Sequence, residues 1–192
     1  NITSQRMPNI PIYVQYAFND DSHIRVAGVV RNLSYRNNVT NDKHNKYAWG
    51  AQVSLLGTLG KLQLKGQFTM GKGISSYIND ISNVGVDLVP AAENGRMTML
   101  RSEAWYVGLQ YNVSSKFFAT ATYSQTALHS NSGYADAYPE SYRRGQYVVA
   151  NMFYNVSKNM QVGLEYLHGW RTDFDGDKDG ANRVNIAARY NF

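Results

Sequence analysis

Hydrophobic and polar residues alternate with a period of two along most of this chain. The alternation is clearest at 61–70 and at 183–192, where every second residue is apolar or glycine. A period of two puts successive side chains on opposite faces of a strand, whereas an amphipathic helix repeats every 3.6 residues. The pattern predicts an all-β fold of nine strands, at 10–18, 23–35, 47–56, 61–70, 104–111, 116–125, 146–154, 160–170 and 182–192.

The two faces of the predicted strands differ in chemistry. One face is apolar and carries no Asp, Glu, Lys or Arg, whereas the other carries most of the charged and amide side chains. Aromatic residues of the apolar face lie at strand ends, as in the girdles that hold a barrel at both surfaces of a membrane. Those near short turns or the last residue are Tyr16, Phe18, Tyr111, Phe117, Tyr154, Tyr190 and Phe192, and Trp49 lies toward the opposite strand ends.

Short and long connections alternate between the predicted strands. Outer-membrane barrels have short periplasmic turns and long outer loops. The spacing therefore predicts an antiparallel transmembrane β-barrel in the bacterial outer membrane. The tight turns are at 19–22, 57–60, 112–115 and 155–159, and the long connections are at about 36–46, 71–103, 126–145 and 172–181.

The number of predicted strands is odd. Nine strands of alternating direction leave the first and the last strand parallel, so they cannot close as an antiparallel barrel, and bacterial barrels have even strand numbers. We therefore expect residues 1–192 to form the C-terminal part of a single, larger barrel domain. The alternative is that 10–18 is not a membrane strand and that eight strands remain.

The last predicted strand resembles the assembly signal of bacterial outer-membrane proteins. Phe192 is the terminal residue, and Ile186, Ala188 and Tyr190 share its face. The resemblance implies that the barrel-assembly machinery binds this strand during biogenesis.

Four segments are similar to the DcaP-like family of trimeric porins, in the C-terminal half of such a porin. The resemblance implies a homotrimer of sixteen-stranded diffusion channels, embedded in outer-membrane lipid and lipopolysaccharide. It also implies a basic lumen that passes small anionic solutes such as dicarboxylates. The segments are 24–33 (IRVAGVVRNL), 71–80 (GKGISSYIND), 162–166 (VGLEY) and 175–183 (DGDKDGANR).

The chain is basic, with 19 Lys and Arg against 14 Asp and Glu, and it contains no Cys, which excludes disulfides and thiolate metal sites. Ionisable residues of the polar face are expected to line a water-filled passage, where cations concentrate anions. The alternative is that they pair with Glu103, Glu165, loop acids or the missing strands. The cations are spread along the strands without stacking aromatics, so nucleic acid is not an expected partner. The predicted pore-lining residues are Arg25, Arg31, Lys61, Lys65, Arg183 and Arg189, with Glu165 as the acid.

The connection at 71–103 is too long for a simple link between strands. It either folds into the passage and narrows it or contacts a neighbouring subunit. Arg96 and Arg101 are the candidate constriction residues, with Asp80, Asp87 and Glu93 as counter-charges.

The acidic stretch Asp175-x-Asp177-x-Asp179-Gly180 imitates the start of an EF-hand loop, whose alternating oxygens suit Ca²⁺. Its twelfth position is Ile186 in place of the bidentate Glu, so we expect a solvated acidic loop, with weak divalent-cation binding as the alternative. The four His residues are not spaced as a metal site. No metal site and no cofactor are therefore predicted.

His168 lies on the apolar face, where outer-membrane phospholipases present a Ser–His pair. No Ser or Thr accompanies it on the apolar face of the predicted strands, so the expected function is passive diffusion and not catalysis. A phospholipase-like barrel enzyme is one alternative. A soluble ligand-binding barrel, with its apolar face inward, is another.

Overall fold

The computed structural model describes residues 2–4, 7–37, 40–91, 96–130 and 133–192. Helical structure there is limited to 3₁₀ turns at Ser75–Tyr77 and Asn79–Ile81 and to the short helix α1, Tyr134–Ala137. None of the helices in these ranges has the length and apolar character to span a bilayer. The strands are β1 (Ile2–Ser4), β2 (Ile10–Asn19), β3 (Ser22–Arg36), β4 (Lys43–Leu59), β5 (Leu62–Lys72), β6 (Val89–Pro90), β7 (Met97–Thr98), β8 (Arg101–Asn112), β9 (Phe117–His129), β10 (Tyr142–Asn155), β11 (Met160–Asp173) and β12 (Lys178–Tyr190).

The nine long strands form one antiparallel sheet in chain order, from β2 and β3 through β5 and β8 to β12. All nine predicted strands are confirmed, and β2 is a full member of the sheet because it pairs with β3 from Ile10↔Val30 to Asn19↔Ser22. β1 pairs with the other end of β3, and β6 and β7 form a separate hairpin.

Several strands extend further into the long connections than the hydropathy pattern predicts. β4 begins at Lys43 and β12 begins at Lys178, each about four residues before its predicted start. The pairing of β11 with β12 continues to Thr172↔Lys178. The residues of these extensions are mostly polar on both faces. Backbone hydrogen bonds between the strands therefore continue beyond the point at which apolar and polar residues cease to alternate.

The sheet is open in this chain. Its edges are β2 and β12, which run in the same direction because seven alternating strands lie between them. Every residue of β2 is exposed, as is nearly every residue of β12. Two parallel edges cannot join as an antiparallel pair, so closure requires an odd number of additional strands.

The faces of the sheet are oriented as the sequence predicts. The apolar face is exposed, with Ile12 at 72%, Val107 at 45% and Ile186 at 85% relative exposure. A soluble barrel would bury these side chains, so the arrangement contradicts that alternative. The buried core lies instead between the polar face and the long connection after β5, where Ile74, Ile81 and Leu100 are fully buried.

Candidate pore wall and constriction loop

The connection between β5 and β8 folds over the polar face of the sheet. We call residues 73–100 the crossing loop, of which 92–95 lie outside the described residues. Ile74, Ile81 and Leu100 of the loop pack against Leu128 of β9 and Tyr142 of β10. Of the two predicted courses for this connection, the chain therefore takes the one that folds inward over the polar face.

A glycine permits the sharp turn at which the crossing loop leaves β5. Gly73 has a φ of +67°, a left-handed conformation that favours glycine. A Cβ at this position would lie 2.8 Å from the Cβ of Ala48 and 2.8 Å from the Sδ of Met99. The glycine-rich segment therefore serves to turn the chain onto the polar face.

The first anchor of the crossing loop is a buried ion pair with β3. A terminal nitrogen of Arg31 lies 2.7 Å from a carboxylate oxygen of Asp87, and Arg31 is only 8% exposed. The same nitrogen donates to the carbonyl of Gly73 and to the Ser76 hydroxyl, at 2.9 and 2.8 Å. Asp87 also accepts hydrogen bonds from the Ser75 hydroxyl and the Ser76 amide. Arg31, predicted as a pore-lining cation, therefore holds the loop, and its charge is neutralised.

The surroundings of Asp87 set the pH range over which this anchor holds. Burial raises the pKa of Asp87, but hydrogen bonds from Ser75, Ser76 and Arg31 lower it, and the net result is a pKa below the ordinary 3.8. A carboxyl group whose pKa is lower in the folded state stabilises that state above its unfolded pKa. The stabilisation disappears as the pH falls through the folded pKa.

We expect the crossing loop to stay anchored between about pH 8 and pH 5 and to be released only below about pH 4. An environment-sensitive fluorophore on Asn83→Cys, an exposed loop position, reports the release. The Asp87→Asn variant carries the same label and serves as the control, because it lacks this titration. A fluorescence transition between about pH 5 and pH 7 in the parent, absent from Asp87→Asn, would contradict the assignment.

The second anchor lies on the same face of the sheet, several strands away at β10. The carboxylate of Asp80 accepts hydrogen bonds from the hydroxyls of Tyr142 and Tyr147. A Cβ at Gly145 would collide with both the Tyr142 hydroxyl and the Asp80 carboxylate, so this contact requires glycine. The loop thus spans the polar face from β3 to β10.

A groove of about 610 Å³ lies between the crossing loop and the sheet. Its lining is rich in hydroxyl and amide groups, and Asp80 is the one formally charged side chain among the lining residues described. Such a surface hydrogen-bonds water and polar solutes. The hydroxyl- and amide-bearing lining residues are Gln67, Thr69, Tyr77, Asn79, Tyr106, Ser124, Gln125, Thr126 and Tyr147.

The other predicted cations of the polar face bind neutral partners. Arg25 donates to the Gln15 side chain at 2.6 and 2.9 Å and lies 4.9 Å from the centroid of the Tyr13 ring. Lys61 donates to the carbonyl of Val113 at 3.1 Å. Lys65, Arg183 and Arg189 donate to amide oxygens of Gln110, Asn185 and Asn191. None of these five cations forms an ion pair with a carboxylate in the described part of the chain.

Glu165 lies on the polar face of β11 and is held by amides. Its two carboxylate oxygens accept hydrogen bonds from Asn151 of β10 and Asn185 of β12, each at 2.8 Å. The Thr120 hydroxyl of β9 donates in turn to Asn151. The carboxylate therefore neutralises none of the described cations.

The candidate constriction residues do not come together. Arg101 opens β8 on the same face as Val107, which is the apolar face, and it pairs with Glu103 at 3.4 Å. This position contradicts a role in the constriction, because the side chain points away from the crossing loop. Arg96 is exposed within the loop, and Glu93 lies outside the described residues.

No protein-family model and no curated protein sequence matches this chain. Solved structures do match. The crystal structure of the outer membrane channel DcaP of Acinetobacter baumannii superposes with a TM-score of 0.84 at 21% identity, over 99% of this chain and 53% of the channel. The chain has the fold of part of an outer-membrane β-barrel.

Two further outer-membrane structures share this fold less closely. In-vitro folded OmpT of Vibrio cholerae matches with a TM-score of 0.57 at 17% identity, over 94% of this chain and 54% of OmpT. Its loop L8 deletion mutant matches with a TM-score of 0.55 at 18% identity, over 94% and 52% of the two chains. The chain thus spans about half the length of each. The predicted resemblance to DcaP-like porins is confirmed at the level of the fold, and the predicted outer-membrane location agrees with all three structures.

In this barrel fold the apolar face carries a second aromatic girdle that the sequence pattern revealed only at Trp49. The Trp170 indole donates to the Gln146 side chain at 2.7 Å, and the Trp105 and Tyr123 rings lie 5.2 Å apart. Gln146 also donates to the Tyr123 hydroxyl. These residues are distant in sequence and become neighbours through strand register, so a period-two pattern does not group them.

His168 belongs to this girdle. Its ring lies 5.2 Å from that of Trp170, and its Nδ1 is 2.9 Å from the side-chain oxygen of Asn182. Among the described residues, no Ser or Thr hydroxyl is hydrogen-bonded to it. The neighbouring Tyr166 hydroxyl is already donated to Asn182, at 2.7 Å.

The acidic stretch forms a short turn between β11 and β12. The amide of Asp177 donates to the side chain of Asp175 at 3.0 Å, and Asp173 pairs with Arg171 at 2.6 Å. No group of three or more His, Asp or Glu residues in the described chain is arranged to hold a metal ion.

Proposed function

We propose that this chain is the C-terminal part of an outer-membrane porin through which small anionic solutes, dicarboxylates among them, diffuse passively. The observation that carries the proposal is the charge state of the polar face. Five of its cations have no described carboxylate partner, whereas Asp87 of the crossing loop is neutralised by Arg31 and Asp80 is held by two tyrosine hydroxyls. Cations over a water-filled passage raise the local anion concentration and speed anion entry.

The crossing loop supplies the second element of selectivity. It is anchored at β3 and at β10, so it narrows the passage by a fixed amount and sets a size limit. Pore diameter and lining charge are sufficient to select solutes without any catalytic group. We accordingly propose a channel with no enzymatic activity and no cofactor.

We propose that seven further strands complete a sixteen-stranded barrel, and that three such barrels form a homotrimer. Sixteen minus the nine strands present leaves seven, an odd number, as the parallel edges require. The 53% coverage of the DcaP channel is consistent with this division. We further propose contacts with outer-membrane lipid and lipopolysaccharide along the two aromatic girdles.

We propose that the end of the chain carries the signal for barrel assembly. Ile186 and Tyr190 are 85% and 57% exposed on the apolar face, and the rings of Tyr190 and Phe192 meet edge to face at 5.1 Å. Ala188 lies between Ile186 and Tyr190 on the same face. An exposed apolar strand edge of this kind is available for pairing with the assembly machinery.

Charge reversal on the polar face tests the proposed selectivity. Arg25→Glu and Arg183→Glu, each in the full-length protein, are expected to lower the ratio of anion to cation permeability by a factor of about 2 to 10, because each replaces an unpaired cation by an anion. The measurement is the reversal potential in a planar bilayer under a salt gradient. Lys43→Glu, at the exposed start of β4, makes the same charge change outside the passage and should leave the potential unaltered.

Unchanged reversal potentials in Arg25→Glu and Arg183→Glu would overturn the assignment of these residues to the passage. A parent protein that prefers cations or does not conduct would overturn the proposed function.

A further inference from the structure

A recess lined by basic residues lies at the short-turn end of the sheet. We call it the basic notch; it is bounded by the β8–β9 turn at 113–116, the β10–β11 turn at 156–159 and the end of the chain at 189–191. It encloses about 550 Å³. Its lining includes Lys116, Lys158 and Arg189, and none of the described lining residues is an Asp or a Glu.

Hydrogen bonds between the segments hold the basic notch in shape. The amide of Asn155 donates to the carbonyl of Lys116 at 2.8 Å, which ties the two turns together. The Asn191 amide donates to the Asn159 carbonyl at 2.9 Å, and the Asn159 side chain donates back to the Asn191 carbonyl at 2.9 Å. A cradle that is formed in advance loses little conformational entropy when a ligand binds.

The cations of the basic notch are available for an anion. Arg189 donates through Nε to the Asn191 side chain at 3.1 Å, and its terminal nitrogens have no carboxylate partner in the described chain. Lys116 and Lys158 are exposed and form no ion pair with a described carboxylate. A guanidinium binds a carboxylate in a planar, bidentate manner, and ammonium groups add mobile positive charge.

The position of the basic notch connects it to the passage. Arg189 lies on the polar face of β12, opposite Gln161 of β11, and Glu165 lies on the same face four residues further along β11. The notch is therefore the last part of the polar face that a solute meets at this end. The volume of the notch suits a small molecule, and its residues lie on the polar face. Both features favour a solute in transit over a lipid, which would contact the apolar face.

We propose that the basic notch is a binding site for small dianions, chiefly dicarboxylates, at the short-turn mouth of the channel. The inference rests on the proposed function, which places this mouth in the periplasm. It adds two lysines to the residues that select solutes: Lys116, which the sequence pattern placed at the start of a strand, and Lys158, which it assigned to a turn.

Sided block by a dicarboxylate tests the proposal. Potassium chloride current through the full-length protein is recorded in planar bilayers while malonate is added to one side at a time. Modification of Asp177→Cys, in a long-loop connection, by an impermeant thiol reagent establishes the orientation. We expect malonate to block at a lower concentration from the short-turn side, and this difference to fade as the salt rises from about 0.1 M to about 1 M.

The double variant Lys116→Glu/Lys158→Glu is expected to raise the half-blocking concentration from the short-turn side by about three- to tenfold. Block from the long-loop side should remain as in the parent. The matched control is Lys43→Glu/Lys72→Glu, which reverses two exposed lysines at the opposite end of the strands and should leave short-turn block unchanged.

The outcomes separate the notch from the proposed function. An anion-preferring parent with equal block from both sides, or with short-turn block that survives the double variant, would overturn the notch and leave the porin standing. A parent that is not anion-preferring would overturn the porin itself. Carboxylates of the cell wall are the other source of this chemistry. If the double variant loses binding to purified peptidoglycan while malonate blocks it as it blocks the parent, the basic notch is not a solute site.

Discussion

Leu64→Arg is expected to lower the free energy of unfolding by about 2–4 kcal/mol, since an arginine at the middle of a lipid-facing strand must be placed in hydrocarbon. Leu64 lies in the interior of β5, opposite Leu109 of β8, and is exposed on the apolar face. Val107→Arg, in the adjacent strand, should cost a similar amount. In water the same substitutions on an exposed surface would be nearly neutral, so the size of the loss reports the solvent that the apolar face meets.

The measurement is equilibrium unfolding of the full-length protein in lipid vesicles with a chemical denaturant, followed by tryptophan fluorescence. Gln63→Arg is the matched control, because it adds the same side chain one residue away on the polar face. We expect it to change stability by less than about 1 kcal/mol, as substitutions toward water do. A larger loss for Gln63→Arg than for Leu64→Arg would mean that the two faces are exchanged, and the membrane assignment would fail.

Asp87→Ala is expected to release the crossing loop, because it leaves the Arg31 cation buried without a partner. Removal of one member of a buried ion pair typically costs about 3–5 kcal/mol. Here the substitution destabilises the closed position of the loop relative to the released one, since β3 is held independently by the sheet. We expect a larger single-channel conductance and rapid proteolysis of the loop in the variant.

Two further variants show whether the effect comes from the buried charge. In Arg31→Met/Asp87→Leu both charges are replaced by apolar groups, and such replacements are often neutral, so the loop should remain closed. Asp173→Ala breaks the exposed pair with Arg171, where the expected cost is below about 1 kcal/mol. A conductance increase in the double variant equal to that of Asp87→Ala would show that the ion pair does not anchor the loop through its charge.

The strands were predictable because their signal is local. A strand that faces two different environments must alternate, and segments such as 61–70 and 183–192 record this residue by residue. The same alternation predicted which face is exposed, and Leu62, Leu109 and Ile186 are indeed exposed. The predicted strands were too short at Lys178 of β12, where exposed polar residues begin the strand, and at Leu128 of β9, which is buried beneath the crossing loop.

The roles of individual charged residues were less predictable. Arg31 and Arg25 share a strand and a face, yet Arg31 is buried beneath the crossing loop and Arg25 is bound to Gln15. Arg101 was assigned to the constriction from its place in a long connection, but β8 begins with this residue and directs it to the apolar face. Each difference arises because a side chain's partner depends on how a distant segment packs.

The amino-acid sequence alone predicted the all-β class, the positions and alternating direction of the strands, the chemistry of their two faces and the similarity to a channel family. Only the tertiary structure decided that the long connection turns inward, that Arg31 and Asp87 meet across 56 residues, and that Lys116, Lys158 and Arg189 line one recess. The physical reason is the range of the forces involved. Alternation satisfies the solvent on each side of a strand and is written into neighbouring residues, whereas ion pairs and recesses form between segments that only folding brings together.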